Sequence, residues 1–228
     1  DRSPIAIIES KKTSVSVEKG EIQARTYRDD IEKQIKIKIP IFLTNGTNWY
    51  YVDDLDRRRQ VKLPFSQKDL HRIVSLMQKR KDPATIKINS RIVDRRRGVE
   101  AAKGVSEHFS KGYREALINM ATGTGKTRVA MAIIEALRKA DYIQKVLFVT
   151  DRISLGNQAK ENGFKEFFPD DPVCELNEEG YSDTARLYVS TIQTLMSPQK
   201  PRGKFYEKFG TGAFDLIIFD EAHRSYYD

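Results

Sequence analysis

Met120-Ala121-Thr122-Gly123-Thr124-Gly125-Lys126-Thr127 is the stretch from which the rest of this chain can be read. A short apolar run at 116–119 precedes it, and an apolar run of helical period follows at 127–139. The pattern therefore predicts a strand, a glycine-rich loop and a helix in that order. Each position has a chemical task. Gly123 and Gly125 let backbone N–H groups close around phosphate oxygens, and the start of the helix adds partial positive charge. Lys126 is placed to reach the β- and γ-phosphates of ATP and Thr127 to hold Mg2+ through its hydroxyl, while Thr122 and Thr124 complete the loop. This is the end of a Walker A sequence, with Met120 where the general pattern opens on Gly or Ala.

Downstream, short apolar runs at 146–150, 187–190 and 216–219 read as strands, with a helix beginning near Ser154. Strands alternating with helices predict a parallel sheet covered on both faces. Asp220-Glu221-Ala222-His223 closes the last run, 94 residues after Lys126. A carboxylate at the end of a parallel strand sits where such sheets bind ligands. Asp220 is thus a second Mg2+ ligand and Glu221 the residue that orients or deprotonates the attacking water. His223 would link nucleotide state to neighbouring segments.

Upstream the character changes. Residues 1–97 hold 23 Lys and Arg against 13 Asp and Glu, and residues 98–228 hold 17 against 19, so all of the +8 net charge lies in the first part. A basic segment of this kind is a plausible surface for a phosphate backbone, with ordinary solvated Lys and Arg as the alternative. The chain has 39% apolar and 32% charged residues over 228 positions, which excludes disordered and collagen-like classes. Its apolar runs are too short to cross a bilayer as helices. One cysteine, Cys174, excludes an internal disulfide, and the expected setting is the cytoplasm.

Within the basic part, 4–10 reads as a strand and 21–33 as a helix. A strand at 41–44 is closed by Asn45-Gly46, and another follows at 49–52. Between the triplets Arg57-Arg58-Arg59 and Arg95-Arg96-Arg97 one helix is expected at 67–80, with Ser66 as its N-cap. At the end of the first strand, Glu9 and Lys11 fall on the same side because side chains alternate. A carboxylate that can hold Mg2+ beside a lysine near the attacking water suits phosphodiester hydrolysis. Gln23 and Tyr27, four apart, share a helix face.

Together these motifs carry a resemblance. MATGTGKT with DEAHRS resembles the superfamily 2 helicases and translocases, which have a RecA-like fold. VTDRISLGNQA and VSTIQT resemble the loops with which those motors touch nucleic acid, which makes Arg152, Thr191 and Gln193 DNA-binding candidates. Helix capping and core-edge roles are the alternatives for these three. The family's adenine-reading glutamine and aromatic have no match, since no Gln lies between Gln78 and Gln144. PIAIIESKK, QARTY and IPIFLTNG resemble a PD-(D/E)xK nuclease with a Gln-x-x-x-Tyr addition. A nuclease followed by such a motor resembles the restriction subunit of type I restriction–modification systems.

That resemblance implies an α/β chain in three parts. These are the C-terminal part of a nuclease domain at 1–62, a basic linker with a docking helix at 63–97, and a first RecA-like domain at 98–228. It implies Glu9 as a metal ligand, Lys11 as a water-orienting base or charge stabiliser, and Gln23 and Tyr27 as support for the metal or the DNA. The family's leading nuclease Asp has no assigned counterpart, since Asp1 stands only eight residues before Glu9. It further implies ATP and Mg2+ as cofactors and double-stranded DNA as substrate in a bacterial or archaeal cytoplasm. Partner methyltransferase and specificity subunits would use S-adenosylmethionine. Two alternatives stay open: a helicase or repair translocase whose E-x-K is accidental, and a non-catalytic DNA-binding or docking chain.

Overall fold

Strand β1, Ile7–Ser10, lies parallel to β2, Ile41–Thr44, and helix α1, Val17–Ile35, makes the crossover between them. Strands β3, Trp49–Val52, and β4, Arg58–Val61, add on antiparallel, giving a mixed sheet in the order β1-β2-β3-β4. The computed structural model describes residues 3–12, 17–121, 123–176, 180–198 and 204–222. The chain forms two compact units, one of Asp1–Arg80 with Gly210–Ala213 and one of Lys81–Phe209 with Phe214–Asp228.

In the first unit, alternation sorts the sheet into two faces. Ile41, Leu43 and Val52 are buried with Ala24 of α1. Phe42, Tyr51 and Val61 turn the other way and are buried with Phe65 and with Leu70 and Met77 of α2, Gln67–Lys79. Each of these large apolar side chains contributes roughly 1.5–3 kcal/mol by leaving water. Helix α2 starts where expected because the Ser66 hydroxyl accepts from the Asp69 N–H at 3.1 Å, satisfying an otherwise orphan donor. It falls in the same compact unit as β1 to β4, whose boundary lies after Arg80. Much of the positive charge here is spent internally. Arg57 pairs with Asp53, Arg58 with Glu21, and Arg80 with Asp54, while Arg59 lies over the rings of Tyr51 and Phe65. Each arginine of the first triplet therefore has a partner within this unit, although Arg58 stays exposed.

The second unit is a parallel sheet in the order β6-β7-β5-β8, formed by Val173–Glu175, Leu187–Thr191, Val146–Thr150 and Leu216–Phe219. All three of its strand pairings are parallel. Val146 and Phe148 face a core built with α3, Arg96–Ser110, and α4, Lys126–Lys139. Leu147 and Val149 face a second core with Tyr188, Leu195 and Phe205. Burial of all five β5 residues is the mark of a parallel strand covered on both sides. Helix α5, Ile153–Ala159, follows β5 and runs through a π-helical turn, Lys160–Phe164, into α6, Lys165–Phe167; α7, Ile192–Met196, follows β7.

One expected strand is corrected. Residues 116–119 form no strand, and Leu117 is 90% exposed. A strand needs a ladder partner for its backbone as well as apolar side chains. Among the described residues β8 pairs only with β5, and its Ile217 and Phe219 are about half exposed. Helix α3 and strands β4 and β6 were not legible beforehand. No described helix is long and apolar enough to cross a membrane.

Candidate functional site

The parallel sheet builds the first site at the C-terminal ends of its strands. The Asp220 N–H donates to the Val149 carbonyl at 2.8 Å, continuing the β5–β8 ladder one residue past β8 and fixing where the acidic pair begins. Glu221 then takes a left-handed backbone, φ 54°, rare for a residue with a Cβ and costing on the order of 1–3 kcal/mol. In that conformation its N–H donates to Asp220 Oδ1 at 3.0 Å and its Oε1 accepts from Lys126 Nζ at 2.5 Å. The two ends of a 95-residue separation thus meet in one ion pair. Burial, with the neighbouring Glu221 carboxylate, holds the Asp220 carboxyl above the usual carboxylate range, while Lys126 pulls it down.

The loop itself needs its glycines. Gly123 and Gly125 have φ of 76° and 89°, a region that a side chain would strain, and nothing lies within 4 Å of the point where a Cβ would stand on either. The Thr124 hydroxyl is tied to the Ala121 carbonyl at 2.6 Å, closing the turn. Lys126 and Thr127 open α4, whose first turn holds no acid and no side-chain cap, so its orphan N–H groups remain suited to an anion. Thr122 and His223 lie outside the described residues. The carboxylate of Asp220 and the hydroxyl of Thr127 are hard oxygen donors of the kind Mg2+ takes, so the residues present fit the cation.

The three DNA-binding candidates separate. Arg152 is exposed at the start of α5, and its Nε lies 3.7 Å from the Asp151 carboxylate. Gln193 is exposed on α7. Thr191 is buried, and its hydroxyl caps α7 by accepting from the Thr194 N–H at 3.1 Å. Its side chain has the capping role that the sequence left open.

The second site lies in the first unit. Glu9 and Lys11 project to the α1 side of β1 as alternation requires, and their side chains pair at 2.7 Å. Lys11 Nζ also donates to Gln23 Oε1 at 2.8 Å, and Gln23 Nε2 donates to the Tyr27 hydroxyl at 2.7 Å. All four candidates therefore join in one unbroken chain of polar contacts. As a metal centre it is only partial. Among the described residues no cluster of three or more Asp, Glu, His or Cys side chains forms, and Asp1 lies outside them. The sequence reading passed over Gly20, which α1 seats against this pair; a glycine inside a helical pattern is the signal that marks it.

Residues 91–228 match the family described as type III restriction enzyme, res subunit. The chain belongs to that family. The matched span contains the phosphate loop and the Asp220–Glu221 pair, while Glu9, Lys11, Gln23 and Tyr27 lie outside it. Relatives include the type I restriction enzyme EcoKI endonuclease subunit of Escherichia coli K12, 35% identical over 136 residues, covering 56% of this chain and 11% of the relative. The EcoAI endonuclease subunit of Escherichia coli is 31% identical over 126 residues, covering 55% of this chain and 15% of the relative. The chain thus spans 11% and 15% of the length of these two relatives. Among solved structures, a fragment assigned to an HsdR subunit of a type I restriction enzyme from Vibrio vulnificus YJ016 aligns with TM-score 0.45 and 23% identity, over 96% of this chain and 39% of the other.

Proposed function

We propose that this chain is the nuclease–motor junction of a type I restriction subunit, which couples ATP-driven movement of double-stranded DNA to its cleavage. The observation that carries the reading is the coexistence of two hydrolytic constellations: Lys126 with Asp220 and Glu221, and Glu9 with Lys11, Gln23 and Tyr27. Relatives described as type I restriction endonuclease subunits support it.

At the first constellation, Lys126 exchanges its Glu221 partner for the γ-phosphate, leaving the Glu221 carboxylate to orient water. Asp220 and Thr127 would hold Mg2+, which would neutralise phosphate charge when bound. Gly123, Thr124 and Gly125 wrap the phosphates, with Thr122 completing the loop. At the second, Glu9 offers one carboxylate to a divalent cation and Lys11 balances charge developing on the scissile phosphate. Gln23 holds Lys11 in place, and Tyr27 steadies Gln23 at the DNA side. Arg152 and Gln193 face the DNA backbone. Methyltransferase and specificity subunits, the former using S-adenosylmethionine, choose the site in a bacterial cytoplasm.

The test is cleavage of long circular DNA by the full-length protein with and without those partners. Cleavage that requires hydrolysable ATP and partner subunits is expected. ATP-independent cleavage, or ATP turnover with intact DNA under every partner combination, removes the reading.

A further inference from the structure

The helix that carries Gln23 and Tyr27 contains a glycine whose backbone does not need one. Gly20 lies in the first turns of α1 and is absent from the residues with positive φ, so any L-residue could adopt its conformation. Inside a helix a glycine costs about 0.5–1 kcal/mol relative to alanine. What it supplies is space. A Cβ at position 20 would stand 3.2 Å from both Cγ and Cε of Lys11 and 3.3 Å from Cγ of Glu9, a tight fit that the two stems would have to relieve by a few tenths of an ångström. The stems of these two residues thus lie directly against the helix backbone.

The register makes this consequential. Positions 20, 23 and 27 recur at i, i+3 and i+7, so Gly20, Gln23 and Tyr27 fall along one face of α1. Ala24, fully buried one turn further on, packs with Ile41, Leu43 and Val52. The depth at which α1 meets β1 sets whether Gln23 Oε1 reaches Lys11 Nζ, now 2.8 Å away. We infer that Gly20 is a positioning residue of the Glu9–Lys11 centre: its missing side chain lets α1 clamp the two charged stems and hold the lysine amine between Glu9 and Gln23. This rests on the nuclease reading above.

Two measurements on the full-length protein test it. Gly20→Val lowers DNA cleavage about 100-fold, as a misplacement of about 1 Å does, and leaves ATP hydrolysis within about twofold. Gly20→Ala, the variant to use should valine prevent folding, lowers cleavage less and in the same direction. The second is a thermal-unfolding cycle with Lys11→Ala. Adding a methyl at 20 lowers Tm when Lys11 is present. It lowers Tm less once the Lys11 stem is gone, because only the Glu9 stem then opposes helix propensity. A merely structural glycine gives the same shift in both backgrounds, and that result, or full cleavage by both variants, overturns the inference. If the native protein cuts no DNA, the nuclease reading fails and takes the role with it, while the thermal cycle still reports the contact separately.

Discussion

The two constellations are assembled in opposite ways. The Glu9 centre is local: a strand end and the helix that follows supply all four residues within positions 9–27, joined by side-chain hydrogen bonds. The Lys126 centre joins parts 95 residues apart, which meet because parallel pairing of β8 with β5 sets where Asp220 begins and a left-handed turn aims Glu221. A local site depends on one helix seated at the right depth. A distant one depends on the whole sheet. The first is exposed to any bulk that shifts that helix, whereas the second is lost by removing a reacting group or by unfolding its unit.

The largest expected effect falls on both activities at once. Lys126→Ala in the full-length protein abolishes ATP hydrolysis and, because cutting follows movement, abolishes ATP-dependent cleavage as well; a phosphate-release assay and a plasmid-nicking assay check this. Unchanged ATP turnover breaks the comparison. Next, Glu9→Ala stops cleavage and leaves DNA-stimulated ATP hydrolysis within about twofold, since the sites share no residue. Parallel loss of both activities would mean that they are one site. Glu221→Gln slows ATP hydrolysis about 100-fold while nucleotide binding persists, measurable with a fluorescent ATP analogue. The smallest effect is at the end of the polar chain. Tyr27→Phe removes the acceptor of Gln23 Nε2, worth about 1 kcal/mol, and slows cleavage about fivefold.

Legibility followed the same division. The phosphate loop and the acidic box stood out because their chemistry demands particular residues in sequence, and strands β5, β7 and β8 showed as unbroken apolar runs. What the sequence could not show was how the parts join. Nothing in the residues announces that Glu221 takes φ 54° or that Lys126 bonds to it. The run at 116–119 was apolar at three of four positions, yet a strand is made by neighbours, and it has none among the described residues. Helix α3 was hidden by its opening, where three arginines gave the look of a linker. The charge balance also could not show which arginines pair: Arg57, Arg58 and Arg80 stand beside Asp53, Glu21 and Asp54.

The parallel pairing of β1 with β2 has a mechanical corollary. Parallel neighbours cannot be joined by a tight hairpin, so the chain must travel back along the sheet, and α1 is that return path. Gln23 and Tyr27 consequently ride on a strut covalently tied to both strands, one of which carries Glu9. Ala24 of that helix is buried with Ile41, Leu43 and Val52, so lifting the helix off the sheet would expose this core to water.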